Sequence, residues 1–326
     1  MHRANKTILQ TALVAAISVA GATPAPAQDS YPSRVIKIVV PLPPGPFADM
    51  LPRMIGEKLS ARWGQPVIIE NRAGAAQNLG AEIVARSEPD GYSLLVTPPG
   101  PLVLNQSLYA KLAFDPESFV PVTVLVALPY VLLARPQVPF NSLPEMVAYA
   151  KANPDKLNFG SPGIGSPPQL AMEWLKSLAG IQMTHVPYKG TGLALADLVA
   201  GHIDVMFDNV GNPVPLIKEG KLRALGIATE RRIAALPDVP PISETFPGFQ
   251  VTTWFAMVAP PKTPPDIAAK LSAAIAEILR MPDVAKRLEE SHATPVGSDP
   301  AQTAARFKEE TARWRRIIET AGIKPE

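Results

Sequence analysis

The feature that most constrains this chain is an alternation, run through twice, of short β-branched segments that stop at Pro or Gly and longer segments with helically spaced apolar residues. Val35-Ile36-Lys37-Ile38-Val39-Val40 ends at Pro41 and Pro43-Pro44-Gly45-Pro46, and Leu51, Met54, Ile55, Leu59 and Trp63 follow at helical spacing up to Gly64. With Asp49 as its N-cap, that helix carries Pro52 at N3, where no N–H is needed. Strand Val67-Ile68-Ile69, helix Leu79 to Arg86 and strand Leu94-Leu95-Val96 complete a β–α–β–α–β order, which argues for a parallel sheet covered by helices.

A strand-like run, Pro129-Tyr130-Val131-Leu132-Leu133-Ala134, opens a second region in which Ser142 and Glu145 make a capping box ahead of a helix ending at Ala152. The alternation then resumes: strand Leu157-Asn158-Phe159, helix Leu170 to Leu178, strand Met183 to Val186, helix Leu193 to Ala200, strand Val205-Met206-Phe207 and strand Leu222 to Ile227. After a proline-punctuated connection, Val251 to Val258 reads as another strand and three helical segments finish the chain. Thr263-Pro264-Pro265-Asp266 and Asp299-Pro300-Ala301-Gln302 each offer a capping residue, a first-turn proline and a polar N3 side chain. The expected fold class is therefore α/β with two lobes, each a mainly parallel sheet flanked by helices, and two crossing strands as a hinge. Residues 28–128 and 253–326 form a discontinuous first lobe and 129–252 the second. Ligands of such sheets sit in crevices at the carboxyl ends of the strands, where this chain places its Gly/Pro/Ser loops.

Composition narrows the partners. At 326 residues and 47% hydrophobic the chain has enough apolar surface for two cores, and no Cys is present, which excludes disulfides, thiolate metal sites and a Cys nucleophile. The first 27 residues read as a cleaved signal peptide, with Arg3 and Lys6 before an apolar run and Ala25-Pro26-Ala27 at its end. An exported, periplasmic protein follows from that reading. Removing the segment brings the formal charge from +2 to zero, so no net field attracts nucleic acid or anionic lipid, and Arg313, Arg315 and Arg316 read as the solvated face of a helix.

Enzyme signatures are weak. His185, His202 and His292 lack metal-ligand spacing; His185 reads as a half-buried strand residue and His202 as a surface one. Gly160-Ser161-Pro162-Gly163 has the wrong spacing for a nucleophile elbow, and neither a phosphate loop nor a dinucleotide fingerprint is present. No cofactor or metal is expected. Ser161-Pro162-Gly163-Ile164-Gly165-Ser166 and Tyr188-Lys189-Gly190-Thr191-Gly192 instead bring backbone N–H groups and hydroxyls to the start of a helix, a carboxylate-binding chemistry, although both also read as ordinary capped turns.

One set of motifs is more specific. Val39-Val40-Pro41-Leu42-Pro43-Pro44-Gly45 with Asp49, Val67-Ile68-Ile69-Glu70-Asn71-Arg72-Ala73-Gly74, Glu88-Pro89-Asp90-Gly91-Tyr92, His185-Val186-Pro187-Tyr188-Lys189-Gly190, Met206-Phe207-Asp208-Asn209, Lys221-Leu222-Arg223-Ala224-Leu225 and Leu236-Pro237-Asp238-Val239-Pro240 run in order through the chain. Together they resemble the periplasmic solute receptors of tripartite tricarboxylate transporters, the Bug family. The resemblance implies a type II-like periplasmic binding protein, a monomer that closes on a small carboxylate and delivers it to membrane permease subunits. It also implies a ligand surrounded by Pro46, Phe47, Ala48 and Asp49 of the first loop, a second loop starting at Thr97, Ser161, Gly163, Ile164, Gly165 and Ser166 of the third, and Tyr188, Gly190 and Thr191 of the fourth. Asp208 and Asn209 end a strand lining the same cleft. A receptor read by a membrane sensor kinase, or a periplasmic hydrolase, are the competing readings.

This chain departs from the family pattern where Pro46 and Phe47 replace small residues, where Pro98 and Pro99 remove donors, and where Gln169-Leu170 stands in place of the usual His-Leu. These departures suggest an asymmetric pocket, with the carboxylate on the second lobe and an aromatic or medium-chain body near Phe47. Phe47 alternatively does no more than cover the first helix.

Overall fold

The computed structural model describes residues 31–44, 46–320 and 322–323. The leader read in residues 1–27 lies outside the described residues. Residues from Arg34 onward form one compact unit.

Strand β1 (Ile36–Val40) lies between two parallel neighbours, β2 (Val67–Asn71) and β3 (Ser93–Thr97). Parallel pairing requires a crossover, and the helices α1 (Pro46–Trp63) and α2 (Asn78–Ala85) supply it. On α1, Leu51, Met54, Ile55 and Leu59 form the buried stripe that holds the helix on the sheet. Beyond β3 lie two antiparallel neighbours, β9 (Thr252–Ala259), which returns from late in the chain, and then the 15-residue strand β4 (Val120–Ala134).

Strand β4 serves both halves of the molecule. Its first part pairs with β9 as far as Pro129↔Thr252, and from Tyr130 onward it pairs with β7 (Val205–Asn209) on one side and β8 (Arg223–Ile227) on the other. Beyond β7 come β5 (Asn158–Ser161) and β6 (Thr184–Pro187), both parallel, so β6-β5-β7 repeats the arrangement β2-β1-β3. Helix α5 (Pro167–Ala179) connects β5 to β6, and α6 (Thr191–Ala200) connects β6 to β7. The result is a two-lobed α/β fold.

The remaining elements are the short α3 (Asn105–Leu108), α4 (Leu143–Ala152), the short α7 (Val214–Lys218), α8 (Pro265–Leu279), α9 (Pro282–Glu290), the two-residue β10 (Thr294–Pro295) on the edge of β4, and α10 (Pro300–Thr320). Helix α10 packs against β4, α3 and α5, burying Trp314, Ile317 and Ile318. Of the basic residues expected on its solvated face, Arg315 and Arg316 are exposed, while Arg313 is ion-paired with Glu310 at 2.9 Å and lies over the Trp314 ring. No helix among the described residues is long and apolar enough to cross a membrane.

Local chemistry explains where elements begin. Glu145 N–H donates to Ser142 Oγ at 3.3 Å, and the Glu145 carboxylate accepts from Asn141 N–H at 2.7 Å. Asp299 and Gln302 cap α10 reciprocally, at 2.7 and 3.2 Å. Three expectations fail for identifiable reasons. Helix α1 starts at Pro46, so Asp49 is inside the first turn, paired with Arg53 at 2.7 Å, and Pro52 stands within the helix. Thr263 does not cap α8, because its hydroxyl donates to Pro260 O at 2.8 Å. Strand β4 begins at Val120 rather than Pro129, since Pro121 falls at a register shift where its missing N–H breaks no ladder bond.

Asp204 locks the second lobe. Its carboxylate accepts from Arg135 Nε at 2.9 Å, just past β4, and from Asn158 N–H at 2.8 Å, at the start of β5, while its own backbone leads into β7. Asp204→Ala leaves both donors unpaired and is expected to lower unfolding free energy in urea by about 2 kcal/mol, with Asp204→Asn losing less. An unchanged midpoint in the alanine variant would show that the three strands are held by packing alone.

Candidate functional site

Between the lobes lies a cavity of about 850 Å³. Leu42, Phe47, Met50, Leu104, Leu108 and Phe255 make the wall on the first lobe mainly apolar, with Pro98, Pro99 and Gly100 beside them and Gln77, Asn105 and Thr253 among its polar members. The opposite wall is polar, built from Gly163 to Ser166, Thr191, Asp208, Asn209 and Asn212. No Lys, Arg or His lines the cavity among the described residues.

The polar wall owes its shape to two glycines, Gly163 at φ 144° and Gly165 at φ 74°, which turn the chain after β5 in a way side-chain-bearing residues resist. Its amides are largely occupied. Gly163 N–H donates to Ser161 Oγ at 3.2 Å, Gly165 N–H to Gln169 Oε1 at 2.6 Å, and Ser166 N–H to Gly163 O at 3.3 Å. The several free N–H groups expected from the sequence are thus reduced to the Ile164 N–H, which, like the Thr191 hydroxyl, has no partner among the described residues. Helix α6 adds the unsatisfied N–H groups of its first turn, since Gly190 provides no side-chain cap.

The structure places the sequence candidates in two groups. Phe47, Ala48, Gly163, Ile164, Gly165, Ser166, Thr191, Asp208 and Asn209 line the cavity, and the Phe47 ring packs on Phe255 with centroids 5.6 Å apart. Pro46 is the first residue of α1. Asp49, Thr97, Ser161, Tyr188 and Gly190 stand behind the lining. Asp49 binds Arg53, which lowers its pKa. Thr97 is fully buried and hydrogen-bonds Pro98 O at 3.1 Å. The Tyr188 hydroxyl donates to Asp197 at 2.7 Å, and burial together with that carboxylate pushes its pKa up to about 12. Gly190 N–H donates to Pro162 O at 3.2 Å and ties the third and fourth loops together.

Several residues that line the cavity or brace its lining carry no sequence signal. Ala75, Ala76 and Gln77 are consecutive left-handed residues at φ 47°, 48° and 75°, an arrangement costing about 1 kcal/mol or more per residue. Asn105 holds this turn, donating to Ala76 O at 3.1 Å and Asn78 Oδ1 at 2.6 Å. Gly100 makes room for it, because a Cβ there would stand 2.9 Å from Gln77 Oε1. Tyr130, which the sequence marks only as part of a strand, opposes Asn209 across the β4–β7 ladder and is buried in the cavity floor, where desolvation raises its pKa and Thr253 hydrogen-bonds its hydroxyl. Asp208 accepts from Asn209 N–H at 2.7 Å and Asn212 Nδ2 at 3.1 Å, while burial pushes its pKa up to about 7.

His185 stands directly behind the third loop. Its Nε2 is 2.7 Å from Ser161 Oγ and its ring stacks on Phe159 at 4.7 Å, so it supports the hydroxyl that receives Gly163 N–H. His202 is exposed and lies 3.1 Å from Asp197. Burial, aided by the charge of Lys176, lowers the His185 pKa from 6.5 to about 4. The unfolded chain therefore binds a proton at this residue between those values while the folded chain does not, so His185 contributes stability that is complete above pH 6.5 and declines as pH falls toward 4. Melting temperature measured from pH 7 to 4.5 is expected to fall more steeply in the natural protein than in His185→Gln. Parallel slopes would show that His185 is protonated without penalty.

Comparison with known proteins matches this architecture over its length. The profile of the family described as "Tripartite tricarboxylate transporter family receptor" matches residues 51–323. Protein BugT of Bordetella pertussis is 34% identical over 323 residues, covering 98% of this chain and 99% of that one. Among solved structures, R. palustris Rpa4515 with adipate superposes with a TM-score of 0.80 at 34% identity, covering 91% of this chain and 100% of the other. MatC (Rpa3494) from Rhodopseudomonas palustris with bound malate does so with a TM-score of 0.75 at 38% identity, covering 88% and 100%. The chain therefore belongs to the tripartite tricarboxylate transporter receptor family.

Proposed function

We propose that this chain is a periplasmic receptor that closes its two lobes on a small organic acid with an apolar body and presents the closed form to a membrane permease. The observation that carries the proposal is the difference between the two walls of the cavity. On one side Phe47, Phe255 and Leu108 offer apolar surface, and on the other the Ile164 N–H, the Thr191 hydroxyl and the first turn of α6 offer neutral donors. A carboxylate on the second lobe and a hydrocarbon or aromatic body on the first use both walls. That relatives were solved with adipate and with malate supports a carboxylate as the recognised group.

In this reading the lobes are residues 28–128 with 253–326 and residues 129–252, and the receptor acts as a monomer. The hinge lies where β4 changes partner at Pro129 and Tyr130 and where Val251 N–H donates to Ala228 O at 2.9 Å. The lobes meet across the mouth at Leu108 beside Gly165 and at the Ser291 carbonyl beside Gly211. A ligand that touches both walls favours the closed form by its differential affinity for it, and the ligand leaves chemically unchanged.

Calorimetry with adipate, hexanoate, benzoate, malate and citrate tests the wall assignment. Adipate, hexanoate and benzoate are expected to bind at least tenfold more tightly than citrate, and the reverse order would overturn it. Phe47→Ala is expected to weaken benzoate about tenfold while leaving malate nearly unchanged, because ring stacking adds roughly 0.5–1.5 kcal/mol beyond area burial. Equal losses for both acids would mean that Phe47 only supports α1.

A further inference from the structure

Resting on the reading of the cleft as a carboxylate site, one group in it is out of place. Asp208 brings a carboxyl of its own into the polar wall, 1% exposed as a residue, where an acidic ligand is to bind. Two carboxylates sharing one site repel, and without a cation between them the repulsion favours a proton on one of the two. No Lys, Arg or His among the described residues lines the cavity.

The charges packed around Asp208 do not supply that cation. Tyr130 faces it from β4 and is neutral, and Glu290, which lines the cavity from the end of α9, adds negative charge. On α5, Lys176 is paired with Glu173 at 2.8 Å, outside the lining. On α6, Asp197 is engaged by Tyr188, and Lys218 at the end of α7 is exposed. The hydrogen bonds Asp208 receives are from neutral donors alone, Asn209 N–H at 2.7 Å and Asn212 Nδ2 at 3.1 and 3.3 Å. The same wall also holds a buried acceptor, Asn209 Oδ1, with no donor among the described residues. Beside Asp208 the wall therefore has an acceptor to spare and no cation to offset a second negative charge.

We infer that the cleft takes up its anion together with one proton from solvent, carried on the Asp208 carboxyl, so that the occupied site pairs a carboxylic acid with a carboxylate instead of opposing two anions. The ligand class is thereby narrowed to acids that place a single negative charge against this wall. Burial already brings Asp208 to a pKa of about 7, so the proton is acquired near neutrality with little penalty. Below that midpoint the acid form is present before the ligand arrives and affinity is constant; above it each pH unit reduces affinity about tenfold.

Hexanoate and benzoate, both fully ionised throughout, are titrated into the full mature protein by calorimetry between pH 6 and 8.5, in two buffers of different ionisation enthalpy. Affinity is expected to fall about thirtyfold across that range, with close to one proton taken up per ligand at the upper end and almost none at the lower. Asp208→Asn is expected to bind with the low-pH affinity at every pH and to take up no proton. If that variant does not fold, the proton count of the natural protein decides the matter without it. Constant affinity and no proton uptake in the natural protein would overturn the inference while leaving the carboxylate receptor standing. Affinity rising with pH would also overturn it, assigning Asp208 to a cationic group on the ligand. Absence of binding by every acid at every pH would remove the receptor reading and this inference together.

Discussion

The rest of the structure depends on one strand being shared. Up to Pro129, β4 belongs to a ladder with β9, and from Tyr130 it belongs to a ladder with β7 and β8. A proline is tolerable at that point because the ladder is changing partners there, and its carbonyl is still used, accepting from Val210 N–H at 3.1 Å. The switch also positions the cavity floor. Tyr130 is the first residue of the second ladder and lies opposite Asn209, so the partner switch and the cavity lining are built from the same few residues.

Much of the fold was legible because its signals are local. The caps at Ser142 and Asp299 are contacts between residues three apart, and the stripe on α1 repeats within one helix. The first nine residues of β4 were not legible, because Pro121 and Pro129 break the pattern and only the partner strands show that neither proline interrupts a bond. The site divided in the same way. The glycines at 163 and 165 announce a turn, and the loop they shape does line the cavity. That Ser161 and Gln169 occupy two of its amides, from two and four residues away, is a matter of local side-chain geometry that no sequence pattern marks. The left-handed run at Ala75 to Gln77 contains no glycine and is imposed from outside by Asn105, so no pattern of its own marks it.

The electrostatic character of the cleft follows from what it lacks as much as from what it holds. Neutral donors and one buried carboxyl, without a cationic side chain among the described lining residues, make a site in which highly charged acids are poorly compensated. In the proposed reading, selection by charge accompanies selection by shape, with Leu42, Phe47 and Phe255 facing the hydrocarbon of the acid and the opposite wall facing its single charge.

Helix α10 lies across the molecule behind the cleft, seated on β4, which both lobes share, and on α5, which belongs to the second. Its Trp314, Ile317 and Ile318 are buried, so it cannot lift away cheaply. Through that buried apolar seam α10 ties α5 to the strand on which both ladders are built.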